Sequence, residues 1–216
     1  MSVRHHPDEE LLQSNASGVG DAGAALLVAT HLTFCARCRD EMSVLESLGG
    51  ALLSETAPTA LEDCALENAI ARLEGAAEAK PVRVPAGSVS RAMPAPLRAY
   101  AGIDLDRVRW RPVFPGLSYR MLMKRGGTHV YLTRSTPGSS IGFHTHRGNE
   151  LTLVLAGGFT DEAGSYAQGD LIATTPEIHH RPVADDDGDC ITLSMTDAPL
   201  KFDNVGAGLL ARIFGF

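Results

Sequence analysis

Two groups of residues with metal-ligand chemistry stand out along the 216-residue chain. The first is His31-Leu-Thr-Phe-Cys35-Ala-Arg-Cys38, a histidine four residues ahead of a C-x-x-C. On a helix, positions i and i+4 share a face, so His31 and Cys35 can converge on one point. The two sulfurs of a C-x-x-C can grip one ion in the tetrahedral geometry that zinc adopts with nitrogen and sulfur ligands. Such a site needs a fourth ligand, and His5-His6 stands upstream. We take His6 as that ligand, with His5 the alternative. A redox dithiol of the thioredoxin sort would want a preceding strand and a βαβ context, whereas a helical pattern precedes this motif. Two buried thiols without a metal are the other reading.

The second group is Gly138-x5-His144-x-His146-x3-Glu150-x6-Gly157. Residues i and i+2 of a strand point to the same side, so His144 and His146 face one interior together. The turn Arg147-Gly148-Asn149 leads into a strand whose Glu150 can face back to the same centre. A third histidine is expected from the segment 169–182, as His179 or His180. Alternation favours His180, because an inward His179 would bring Arg181 inward beside a cation. Three imidazoles and one carboxylate leave open positions on a divalent transition metal. Of the chain's histidines only His129 stands outside the two groups, and it reads as an ordinary packed or surface residue.

The elements that must position these groups change character along the chain. Up to about residue 75 the periodicity is helical, with helices expected over Pro7–Ala16, Asp21–Phe34 (Asp21 as N-cap), Cys38–Leu48 and Thr59–Leu73. Gly49-Gly50 is expected to stop the third. The fourth carries Leu61, Cys64, Ala65, Asn68, Ala69 and Leu73 along one side, widened by Leu66 and Ile70. Four of the 12 prolines (Pro81, Pro85, Pro94 and Pro96) fall between Ala76 and Arg98, which reads as a spacer. Short strands are then expected over Arg107–Phe114, Ser118–Met123, His129–Ser135, Glu150–Leu155, Asp170–Thr174 and Cys190–Met195. Short strands over about 100 residues argue for a sandwich or barrel. The expected fold class is thus an α + β two-domain chain. It has a small helical bundle of about four helices at 1–78, a linker at 79–96 and an all-β domain at 97–216.

Charge divides the same way. The net charge is −7, yet residues 1–80 hold 5 Lys/Arg against 13 Asp/Glu, a net of −8. That acidity argues against direct nucleic-acid binding and suggests two modules with different partners. The best apolar run, Ala22 to Phe34, is about 13 residues and includes His31, short of the ~20 that span a bilayer. With no apolar leader at the N-terminus, a cytoplasmic location is expected, where the four cysteines serve as ligands or thiols rather than disulfides.

At this point the residues carry a family resemblance. The upstream histidine, His31-x-x-x-Cys35-x-x-Cys38 and the acidic helical setting resemble the zinc-binding anti-sigma domain. Arg4-His5-His6 and Ala29-Thr30-His31-Leu32 are especially similar to ChrR-type members, and Gly138 to Gly157 fits the first cupin motif at every fixed position. The resemblance implies Zn2+ on His6, His31, Cys35 and Cys38, and a jelly-roll cupin barrel after the linker. It also implies a second divalent metal on His144, His146, Glu150 and His180, zinc first, with iron, manganese or nickel as alternatives. His180 is the residue that aligns, although this segment lacks the P-x-G of the usual second cupin motif. The partner implied is an extracytoplasmic-function (ECF) sigma factor, held as a 1:1 heterodimer and clasped by the helices around the zinc together with a fourth helix. Release would follow an oxidative signal, singlet oxygen in particular, sensed with the cupin. No catalysis, nucleic-acid contact or membrane contact is implied. The competing reading is a cupin metalloenzyme, a dioxygenase or isomerase, with a zinc-bound helical appendage. Cys64 is expected to be a small buried residue of the fourth helix, and Cys190 to lie in the barrel, similar in position to a cysteine of ChrR-type cupins. Asp185-Asp186-Asp187-Gly188-Asp189 lacks EF-hand spacing and reads as a solvated turn.

Overall fold

A computed structural model describes residues 3–75, 93–198 and 200–202. Asp8 caps α1 (Glu9–Ala16) by accepting from the Leu11 N–H, with Glu9 and Glu10 in the first turn, where the helix dipole favours anions. Asp21 caps α2 (Ala22–His31) in the same way through the N–H groups of Gly23 and Ala24. This helix ends at His31 rather than at Phe34. The Thr33 hydroxyl donates to the Thr30 carbonyl at 2.7 Å, a local bond that competes with the helix, and Cys35 turns extended to cap the next one.

That next helix, α3 (Ala36–Glu55), runs straight through Gly49-Gly50, the expected stop. Each glycine costs about 1 kcal/mol against alanine, and good helix formers such as Ala51, Leu52 and Leu53 follow at once. α4 (Ala65–Gly75) starts six residues later than the expected Thr59. Leu12, Val28 and Met42 form the small core of this module, flanked by Leu11, Leu32 and Leu45.

The barrel begins after a short helix, α5 (Ala95–Ala101), which Pro94 initiates inside the expected spacer. Its strands are β1 (Arg111–Phe114), β2 (Leu117–Arg125), β3 (Thr128–Ser135), β4 (His144–His146), β5 (Glu150–Ala156) and β6 (Gly158–Asp161). They continue as β7 (Gly164–Ala167), β8 (Leu171–Thr174), β9 (Val183–Ala184), β10 (Cys190–Thr196) and β11 (Leu200–Phe202). A six-stranded antiparallel sheet runs β1-β2-β3-β10-β5-β8, faced by smaller sheets β7-β6-β9 and β11-β4. All six expected strands are present with shifted ends, while β4, β6, β7, β9 and β11 were too short to read from alternation.

The helical module and the barrel share one core. Ala24 and Leu27 of α2, with Met93 and Leu97 at α5, pack in the same apolar cluster as Val130, Leu132, Leu153 and Leu193 of the large sheet. Helix and sheet come close because residue 23 is glycine, where a Cβ would lie 2.7 Å from the Val130 side chain. Complete burial of Leu27 alone is worth roughly 1.5–3 kcal/mol. Of the expected linker, residues 79–92 lie outside the described residues, and Met93 is buried.

Candidate metal centres

In the helical module His6, His31, Cys35 and Cys38 each offer one ligand atom, and these atoms lie within 4.8 Å of one another. His6 Nδ1 is 3.4 Å from each of the two sulfurs. His5, the alternative, turns away, its Nδ1 lying 3.2 Å from Asp170 Oδ2. His31 and Cys35 meet across the turn that ends α2, not along one continuous helix face; the Cys35 N–H still donates to the His31 carbonyl at 3.1 Å. Cys35 is the N-cap of α3 and its sulfur accepts from the Cys38 N–H, so both sulfurs sit at the N-terminal end of that helix. In this donor set burial pushes the Cys38 thiol up to about 12, with Cys35 adding to the shift. Burial likewise lowers His31.

The donors fit a tetrahedral cation. His31 Nδ1 bonds the Gly169 carbonyl at 2.8 Å, which fixes the proton there and presents Nε2 as a lone pair. That Nε2 is buried without a hydrogen-bond partner. A buried lone pair facing two thiols costs free energy unless something positive meets it.

In the barrel His144, His146, Glu150 and His180 likewise offer ligand atoms within 4.8 Å of one another, all four buried. His144 and His146 occupy alternate positions of β4, and the antiparallel bridge His144↔His180 sets two ligands side by side. His146 Nε2 lies 3.4 Å from His180 Nε2 and 3.5 Å from Glu150 Oε2. His144 Nδ1 bonds the Gly142 carbonyl at 3.1 Å and His180 Nδ1 bonds Asp161 at 2.8 Å, so both rings turn Nε2 inward. Tyr131 donates to Glu150 Oε1 at 2.7 Å. Burial lowers His144 and His146 to about 4 and raises Glu150. Neutral imidazoles packed against a costly buried carboxylate match a divalent cation that is missing its charge. A cavity of about 120 Å³ opens on this cluster, lined also by Tyr119, Thr133, Thr192 and Cys190.

His179 points outward and stacks on Phe143 at 5.2 Å, with the Arg181 guanidinium 5.8 Å from the same ring. Cys190 is buried in the barrel as expected, and burial pushes its thiol up to about 12. Cys64 is exposed, against expectation, because the whole apolar side of α4 faces out. Asp161, Gly169 and Asp170, which hold the rings and backbone around the donors, had no signal in the sequence beyond lying in turns. Among the described residues no helix is long and apolar enough to cross a membrane.

A barrel with this inward His/His/Glu/His set is a cupin, here packed against a His2Cys2 helical module. Residues 98–198 match the family described as the ChrR cupin-like domain. The chain is 39% identical over 214 residues to the anti-sigma-E factor ChrR of Cereibacter sphaeroides, covering 99% of each. It is also similar to a chain of the crystal structure of Rhodobacter sphaeroides SigE in complex with the anti-sigma ChrR. There the TM-score is 0.78 and the identity 37%, covering 90% of this chain and 99% of that one. An RmlC-like cupin from Ralstonia eutropha JMP134 aligns at 17% identity and TM-score 0.42, over 48% of this chain and 71% of that one. The chain belongs to the ChrR family of anti-sigma factors.

Proposed function

We propose that this protein sequesters an ECF sigma factor in a cytoplasmic 1:1 complex, through residues 1–78, and releases it on a signal sensed with the cupin domain, 97–216. One observation carries the reading. α3 beyond Ser47 and the whole of α4 present Leu48, Leu52, Leu53, Leu66, Ile70 and Leu73 to solvent. Leu66, Ile70 and Leu73 follow i, i+4, i+7 spacing, the pattern of a helix that docks in an apolar groove. A module that leaves this much apolar surface bare, on a chain similar over its length to an anti-sigma factor, fits a protein partner. The acidic balance of residues 1–80 would steer it to the basic face of a DNA-binding protein.

His6, His31, Cys35 and Cys38 would hold Zn2+, which would tie α2, α3 and the N-terminal segment into one unit, since the small Leu12–Val28–Met42 core has little stability of its own. His144, His146, Glu150 and His180 would hold a second divalent metal, zinc first, with iron, manganese or nickel as alternatives. Three imidazoles and one carboxylate would leave such a metal open positions, and Cys190, Thr133 and Thr192 line the same cavity. Such a position suits sensing of a small oxidant, with singlet oxygen as the signal the family resemblance favours. The same cavity supports a second reading, a cupin dioxygenase or isomerase.

The test uses the full chain. Titrated against the ECF sigma factors of its own genome, it should form a 1:1 complex with one of them and stop that factor binding core RNA polymerase. Absence of inhibition for every such factor, together with turnover of a small metabolite by iron-loaded protein, would establish the enzyme instead.

A further inference from the structure

The two candidate metal centres are joined by one piece of the barrel. β6 and β7 form a hairpin in which Phe159 pairs with Tyr166 and Asp161 with Gly164. On its cupin side Asp161 is fixed at both oxygens. Oδ2 accepts from His180 Nδ1 at 2.8 Å, while Oδ1 accepts from the N–H groups of Ala163 and Gly164 at 2.9 and 3.1 Å.

On its other side the hairpin meets the extended N-terminal segment ahead of α1. The Tyr166 ring lies 4.7 Å from the His5 ring, and the Ser165 carbonyl accepts from Arg4 Nη2 at 3.0 Å. The turn that follows reaches the helical module's ligands directly. The Gly169 carbonyl holds His31 Nδ1 at 2.8 Å. Asp170 Oδ1 accepts from the N–H groups of Arg4 and His5 at 2.7 and 3.0 Å, and its Oδ2 from Ala167 at 3.0 Å. The Leu171 N–H donates to the His5 carbonyl at 3.1 Å, so the peptide leading into His6 is clamped on both sides. Burial works to raise Asp170, but the Ala167, Arg4 and His5 N–H groups outweigh it and hold the carboxyl below its usual range. The clamp is therefore an ionised carboxylate at neutral pH. Gly169 adopts a positive φ of 93°, and a Cβ there would come within 2.9 Å of the Phe34 side chain, so the turn is pressed against the loop carrying Cys35.

We propose that residues 158–171 are a positioning element common to both centres. Asp161 orients His180, while Gly169 and Asp170 orient His31 and the N-terminal segment bearing His6, so that metal in the cupin and metal in the helical module stabilise each other. The proposal rests on the two-metal reading above. Partners of this kind behind a ligand change metal affinity by about 10- to 100-fold. A close-packed hairpin passes a shift at one edge to the other instead of absorbing it. Because the coupling is between binding equilibria, it is reciprocal.

The experiment follows zinc transfer from the full-length protein to a chromogenic chelator. The phase missing from Cys38→Ala marks the helical centre. His144→Ala, which empties the cupin from β4 outside the hairpin, should speed that phase about tenfold, and Asp161→Asn should do the same. In an Asp170→Asn background, emptying the cupin should add less than about threefold, because the clamp is already loosened. Equilibrium titration should show the cupin affinity in Cys38→Ala and the helical-centre affinity in His144→Ala reduced by the same factor. If the wild type binds two equivalents and its helical phase is unmoved by His144→Ala and Asp161→Asn, the coupling is overturned and the two-metal reading stands. If the wild type binds fewer than two equivalents, both fall. Should Asp170→Asn fail to fold, His144→Ala and Asp161→Asn decide the matter alone, since both act from the cupin side.

Discussion

Leu66, Ile70 and Leu73 are 68%, 45% and 76% exposed, so replacing all three by alanine tests partner binding with little effect on the fold. Complete burial of such a side chain is worth roughly 1.5–3 kcal/mol. With about three-fifths of each side chain still open, and alanine keeping part of the gain, the loss is about 1 kcal/mol apiece. The triple variant should then bind its ECF sigma factor about 3 kcal/mol more weakly, an increase in Kd of roughly 100- to 200-fold. Stability should change little, because alanine is the better helix former and these side chains are only partly packed. The assay is titration calorimetry against the sigma factor, paired with a thermal scan of the free protein. Wild-type affinity in the triple variant would refute the docking face. A fall of 10 °C or more in Tm would refute its premise, because it would mean that these side chains are packed inside the free protein.

Other expectations follow from the two centres and the shared core. Elemental analysis of purified protein should give two metal equivalents, with one lost in His31→Ala and the other in His144→Ala; full content in either variant removes the corresponding assignment. Acidification from pH 8 to pH 6 should weaken the helical centre first. Cys38, pushed up to about 12, keeps its proton throughout that range, so metal must displace it and affinity falls about tenfold per pH unit for each such thiol. His144 and His146, lowered to about 4, carry no competing proton there, so equal pH slopes for the two centres in chelator competition would contradict this ordering. Leu27→Ala, at a fully buried position, should cost roughly 2–5 kcal/mol. The whole molecule should unfold earlier in calorimetry, and a cupin transition that stays in place would show that α2 is not part of the barrel core.

The donor atoms were legible because strand period and C-x-x-C spacing constrain them locally. His144, His146 and Glu150 stand at the fixed positions of the first cupin motif, and the cost of an inward Arg181 together with the family alignment preferred His180. The neighbours of those donors were not legible. Asp161 and Asp170 lie at strand ends with nothing local to tie them to the donors, and only the fold brings them to His180 and to the Arg4–His5 backbone. α2 was recognised as a helix, yet its run Ala24-Ala25-Leu26-Leu27-Val28-Ala29 is apolar on every side, which signals burial without naming the surface that buries it. That surface is the barrel. The Pro-rich stretch concealed α5, since Pro94 starts a helix there as readily as it would interrupt one.

A route from barrel to docking face follows from how α2 and α3 are joined. The face of α2 that carries Leu27 is locked into the barrel core, and its last residue, His31, is held by the Gly169 carbonyl. α3 starts five residues later with its first turn on the same metal donors, and Cys38, Met42 and Leu45 give it its packing there. Beyond Ser47 it extends to Glu55 with its leucines exposed. At 1.5 Å per residue, Leu52 lies roughly 21 Å along the axis from Cys38. A tilt of about 10° at the metal end would therefore move the docking leucines by roughly 4 Å, enough to pull apolar side chains out of a matching groove. With α3 docked as proposed, loss or rearrangement of the helical centre would be amplified at its exposed end without unfolding either helix. The barrel, which holds His31 and the His5 backbone in place, is positioned to govern it.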